Sequence, residues 1–187
     1  MRRLLVLLAW LPWGAQAQLP VEMIRYEDRE ARFSILHPAN WRREQPGGPT
    51  KLLLGQPAGD SFILCSVEHA AHRIPLSATQ SRLDRDLLSG FKTRDWPQEL
   101  AGRRKVLDYQ VREINGAPMG AVEWERADYG EGQEKFARGI KVFRFTPRGL
   151  WSAECAAVAL SKPVAEAHFG FNLELIGEII GSVRFPR

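Results

Sequence analysis

Ala31-Arg-Phe-Ser-Ile-Leu-His-Pro-Ala-Asn-Trp41 is the stretch on which the fold turns. Phe33 and Ile35 alternate with polar neighbours, the pattern of a strand with one buried face. Pro38 stops the strand, because it has no N–H for a ladder and restricts the residue before it. Trp41 then folds back over the sheet edge as a core lid, and His37 beside it reads as a backbone-bonded histidine rather than a catalytic one. Upstream, Met23, Ile24 and Tyr26 supply a partner strand, joined through a charged turn at Glu27-Asp28-Arg29-Glu30.

Further back, Met1-Arg2-Arg3 precedes an apolar run from Leu4 to Trp13 and small residues at Ala15 and Ala17. That is the order of a cleavable secretory signal, with cleavage after Ala17 predicted. The run is shorter than the roughly 20 residues a membrane span needs, so no stable span is expected after cleavage. Loss of residues 1–17 removes two arginines and no acid, lowering the formal charge from +4 to +2. The near-neutral remainder gives no ground for a nucleic-acid partner. Residues 18–187 suit a single domain of periplasmic or secreted location.

Cys65 and Cys155 are the two cysteines, each in an apolar, strand-like run. An exported chain meets oxidants and an even count favours pairing, so a Cys65–Cys155 disulfide is expected, contributing roughly 4 kcal/mol in a chain-entropy account. Neither a Cys-x-x-Cys spacing nor an adjacent cation points to redox catalysis.

Forward from the opening strand, Gln45-Pro-Gly-Gly-Pro49 is turn chemistry, and Lys51–Gly55 with Ser61–Glu68 forms a second hairpin. The spacing predicts a helix over residues 77–91, with Ser77 and Gln80 as a capping box and Leu83, Leu87, Leu88 and Phe91 as its packing face. Residues 103–158 read as a four-stranded meander whose clearest turn is Asn115-Gly116. Ser161 caps a long helix with a stripe of Val164, Ala167, His168, Phe171, Leu175, Ile176, Ile179 and Ile180, ending at Gly181, and Ser182–Phe185 is expected to close the chain as a strand. Two helices separated by a meander can cover opposite faces of one sheet. The expected class is α+β: an α/β/α sandwich, a mainly antiparallel sheet with a helix on each face.

Phe33-Ser-Ile-Leu-His-Pro-Ala-Asn-Trp41 resembles the F-S-I-x-x-P-x-x-W opening of the PsbP-like superfamily, which includes DcrB-like bacterial envelope proteins and a yeast Ran-binding protein. Ile114-Asn-Gly-Ala-Pro118 and Ile179-Ile-Gly-Ser-Val-Arg-Phe185 resemble its mid-chain hairpin and its closing step. The resemblance spans about residues 22–186 and implies a fold and a protein-gripping role, with no active site attached. The cysteine pair is not part of that pattern.

Chemistry-bearing motifs are weak. His69-Ala-Ala-His72 lacks the acid of a zinc motif, and Pro75 argues for a loop. No Gly-x-Ser-x-Gly or phosphate-binding loop is present. Glu123 with Glu125, and Glu131 with Glu134, read as solvated faces. The expectation is therefore no enzyme, no cofactor and no metal: an exported, non-catalytic protein-binding module of the bacterial envelope, an assembly factor or chaperone-like. The alternative is a periplasmic immunity protein that neutralises a secreted effector, with a hydrolase more distant. The partner in either main reading is another protein. Arg42-Arg43 beside Trp41, and Arg103-Arg104 beyond Trp96, pair aromatics with cations, as interfaces do, and these six are the candidate contact residues; the favoured alternative is a solvated basic face with the tryptophans inside.

Overall fold

The alternation of apolar and polar residues that marks the opening hairpin is realised as β1 (Met23–Asp28) and β2 (Phe33–Pro38), paired antiparallel as a separate two-stranded sheet. The computed structural model describes residues 21–56, 59–71, 78–90, 104–127 and 135–186. The turn falls later than the charge cluster suggests: Glu27 and Asp28 remain in β1, Arg32 adopts a φ of 61°, and Asp28 accepts the Ala31 N–H at 2.7 Å.

A seven-stranded sheet follows in the order β3-β4-β5-β9-β8-β7-β6, each neighbouring pair antiparallel. Its members are β3 (Arg42–Glu44), β4 (Thr50–Gly55), β5 (Ser61–Ala70), β6 (Lys105–Ile114), β7 (Ala117–Arg126), β8 (Phe136–Thr146) and β9 (Gly149–Ala159). The meander is present as expected, turning at Asn115 (φ 51°) and Gly116 (φ 73°), the positive angles a type I′ turn needs. Its last strand, β9, returns to pair with β5 along ten residues. Cys65 and Cys155 are directly opposed in that ladder and form a disulfide, with 4.0 Å between their Cα atoms.

Helix α1 (Gln80–Gly90) packs on β7 and β8, and Leu87 joins Val122, Trp124, Phe143 and Val158 in the core on that face. Leu88, expected on the packing face, is exposed. Thr79 supplies the first-turn acceptors for Arg82 and Leu83. Ser77, Phe91, Trp96 and His72 lie outside the described residues. Gln80 is not a capping-box partner: its Nε2 donates to Asp84 at 2.7 Å and to the Phe145 carbonyl at 2.9 Å.

The opposite face carries α2 (Lys162–Phe171), α3 (Leu173–Gly181) and the β1–β2 hairpin over a larger core that includes Phe33, Ile35, Trp41, Leu54, Val67, Trp151, Phe169 and Ile176. The architecture is thus the α/β/α sandwich of α+β class. Two expectations are corrected here. The long helix is broken at Asn172, whose Nδ2 donates back to the His168 carbonyl at 2.8 Å, and its first half buries Ala165 and Phe169 while Val164 and Phe171 face outward. The closing strand is a single bridge, Ser34 with Arg184, because Pro186 follows without an N–H to continue a ladder. The Ser182 hydroxyl locks this junction, accepting the Leu36 N–H and donating to the Ile179 carbonyl, each at 2.7 Å.

Candidate functional site

The strand after Trp41 is short because the Pro46-to-Pro49 turn follows it at once. β3 pairs Arg42 with Gly55, Arg43 with Leu54 and Glu44 with Leu53, so it forms one edge of the sheet. Cross-strand partners share a face, which sets Arg42 and Glu44 beside Leu53, Gly55, Phe62 and Leu64 around a shallow depression of about 180 Å3. Phe62 packs partly against the core under α1, so this is the α1 side of the sheet. Since α1 packs on β7 and β8, no described helix covers this end of that face. Arg43 points the other way, 5.3 Å over the ring of Tyr26, whose hydroxyl accepts from Gln45. Burial and then the charge of Asp28 raise the Tyr26 pKa, so its hydroxyl stays protonated. The edge therefore presents two exposed guanidinium groups, one per face, beside half-buried apolar side chains.

Of the six candidate contact residues, the four described are divided between the two edges of the sheet. Trp41 is buried as a lid, and its backbone N–H donates to the Pro38 carbonyl at 3.1 Å. Arg104 precedes β6, at the other edge of the sheet, six strand intervals or about 29 Å from β3. It is drawn inward: Nη2 donates to Glu154 at 2.9 Å and its guanidinium lies 4.6 Å over Trp124. Trp96 and Arg103 lie outside the described residues.

Arg104 belongs to a charge network that sequence reading did not find. Glu154 is 6% exposed and also lies 3.9 Å from Lys141, which reaches Glu68 at the same distance. Burial raises the Glu154 pKa, against the lowering pull of Arg104 and Lys141. A lone acid in the apolar run of β9, directly opposite a lysine of β8, is the signal that was available.

Glu123 and Glu125 are not a free acid pair. Arg138 holds Glu123, and Glu125 bridges Lys105 and Lys162 at 2.9 Å each. Hydrogen bonds from the two lysines hold the Glu125 carboxyl below its ordinary pKa and raise that of Lys162. His69 sits in β5, stacked 4.5 Å from Trp151, not in a loop. Ser61 Oγ lies 3.3 Å from His168 Nδ1. Nε2 of His168 is buried without a hydrogen-bond partner among the described residues, and burial lowers the pKa of the ring. A general base held in place by an acid is thus not assembled there.

No family model and no curated protein matches the chain. Solved structures similar to it include the cyanobacterial PsbP of Synechocystis sp. PCC 6803, at 13% identity and a TM-score of 0.49 over 94% of this chain and 99% of that one. LpqN of Mycobacterium tuberculosis, involved in cell envelope biogenesis, is similar at 11% identity and a TM-score of 0.48 over 90% and 93% of the two chains. The Ran-binding protein Mog1p of Saccharomyces cerevisiae is similar at 11% identity and a TM-score of 0.41 over 88% and 96%.

Proposed function

We propose that the chain is an exported, non-catalytic protein-binding module of the bacterial cell envelope, an assembly factor or chaperone-like, and that it grips its partner with the β3 edge. The observation that carries this reading is the end of the sheet that no described helix covers, where exposed Arg42 and Glu44 border the depression lined by Leu53, Phe62 and Leu64 and Arg43 is exposed on the other face. Arginine beside apolar and aromatic surface is the composition of interface centres, and with Glu44 next to Arg42 it selects a partner that presents both charges around an apolar side chain. The signal-like order of residues 1–17 and the buried Cys65–Cys155 disulfide support export to an oxidising compartment.

Co-purification from a cross-linked envelope extract tests the reading. The wild-type chain retains a defined envelope complex, and Arg42→Glu/Arg43→Glu loses it with an unchanged melting temperature. Equal retention by the double variant overturns the assignment of β3. Turnover of a generic esterase, phosphatase or peptidase substrate, abolished by Ser61→Ala, overturns the non-catalytic reading. Alkylation of the unreduced protein from the periplasm adds no alkyl group if the disulfide forms there, and two if it does not.

A further inference from the structure

The sheet forks at one end. The β7–β8 ladder stops at Gly120 opposite Phe143, whereas β6–β7 continues to Ile114 opposite Ala117 and β8–β9 to Thr146 opposite Gly149. The two hairpin ends therefore part. Beside the fork lies a cleft of about 570 Å3, within the usual range of ligand pockets, lined on one side by Ile114–Ala117 and Met119 and on another by Val183–Phe185. Both sides are held by hydrogen bonds that need no ligand. Asn115 Nδ2 donates to the carbonyls of Gly181 and Val183 at 3.1 and 2.8 Å, and Arg184 is bridged to Ser34 through both backbone groups.

Arg144 lines this cleft and is 5% exposed. Asp84 of α1 takes its Nε at 3.3 Å and its Nη2 at 3.3 and 2.9 Å, which fixes the plane of the guanidinium. Nη1 is left without a hydrogen-bond partner among the described residues. Among the described residues the other charged one lining it is the exposed Arg184, and none of them is an acid. We infer that this fork is a binding site for a single carboxylate on a peptide, received by Arg144 Nη1 and Arg184. With Asp84 balancing Arg144, the surplus is one positive charge, which matches a monoanion and not a phosphate dianion. Ile114, Met119, Val183 and Phe185 are buried in the core beneath it and form a fixed floor, so the site reads the carboxylate and not the side chain next to it. The inference rests on the fork alone and is independent of the β3 surface.

Methyl-resolved NMR on the full, disulfide-intact domain tests it, using the signals of Ile114, Met119 and Val183. Acetyl-glycyl-leucine carries a terminal carboxylate, acetyl-glutamate amide a side-chain one, and acetyl-glycyl-leucine amide none. A saturable shift with either carboxylate, absent with the amide and weaker with inorganic phosphate, is expected, and the peptide that binds tells which kind of carboxylate is read. Arg184→Gln weakens binding about tenfold, the loss of one charge-assisted hydrogen bond. Arg144→Gln/Asp84→Asn abolishes it. Arg184 is exposed, so Arg184→Gln decides even if the buried pair proves necessary for folding. Equal shifts with the amide, tighter binding of phosphate, no saturable shift with either carboxylate, or wild-type affinity in Arg184→Gln would overturn the inference.

Discussion

Replacing both cysteines with alanine perturbs the fold at the ladder between β5 and β9. Cys65 and Cys155 are 1% and 0% exposed and 90 residues apart in sequence, so the bond closes a large loop in the unfolded chain. The chain-entropy relation for a loop of that size gives about 15 cal/mol/K, or about 4.6 kcal/mol at 25 °C. For a domain of this length each kcal/mol moves the melting temperature by about 2–4 °C, so Cys65→Ala/Cys155→Ala is expected to melt about 9–18 °C lower. Thermal and urea denaturation of the oxidised protein and the double variant measure the difference. Because both sulfurs are sealed in the core, dithiothreitol is also expected to reduce the native protein only through unfolding, at a rate independent of its concentration. A stability difference below about 1 kcal/mol would refute the entropic reasoning, showing an unfolded chain already confined without the bond. A reduction rate proportional to dithiothreitol under native conditions would refute the argument from burial.

Gly139→Ala places a Cβ 2.6 Å from the Cys155 carbonyl oxygen, 2.8 Å from Ala156 Cβ and 2.9 Å from Trp124. Backbone and a packed ring cannot both give way, so a loss of about 1–3 kcal/mol is expected by urea denaturation, and a neutral result would contradict the packing described for β7–β9. Glu154 has a folded pKa raised from the ordinary 4.5 by burial. Between 4.5 and the higher folded value the native state holds more protons than the unfolded one, so this residue makes stability fall as pH rises through that window. Glu154→Gln removes that fall, and urea midpoints from pH 4 to 8 with the same slope in both proteins would count against it.

Much of the fold was legible because it rests on local rules. Two-residue alternation marks the strands, Asn115-Gly116 marks a turn by its backbone angles, and Leu87 marks the buried face of α1. The stripe read through residues 162–181 failed in its first half for an equally local reason. Asn172 interrupts the helix, and a periodicity carried across a break is displaced on one side of it, so Ala165 and Phe169 are buried where Val164 and Phe171 were expected. The site was less legible. Arg42 and Arg43 are exposed as an edge requires, but the fate of Arg104 depends on Glu154, 50 residues along the chain. Arg144 likewise owes its orientation to Asp84, 60 residues earlier. Nothing in a local window reports such pairings, since strand order and helix docking create them.

The disulfide also divides the chain mechanically. If tension is applied through the two ends of the domain, it passes along the chain to Cys65, crosses the sulfur bridge and leaves from Cys155. Residues 66–154, which include α1 and most of the meander, lie off that path. Stretching the oxidised molecule can draw out only the segments before Cys65 and after Cys155, and the extension released on reduction reports the hidden length directly. Tension on the two ends therefore leaves β6, β7 and β8 unextended while the flanks yield.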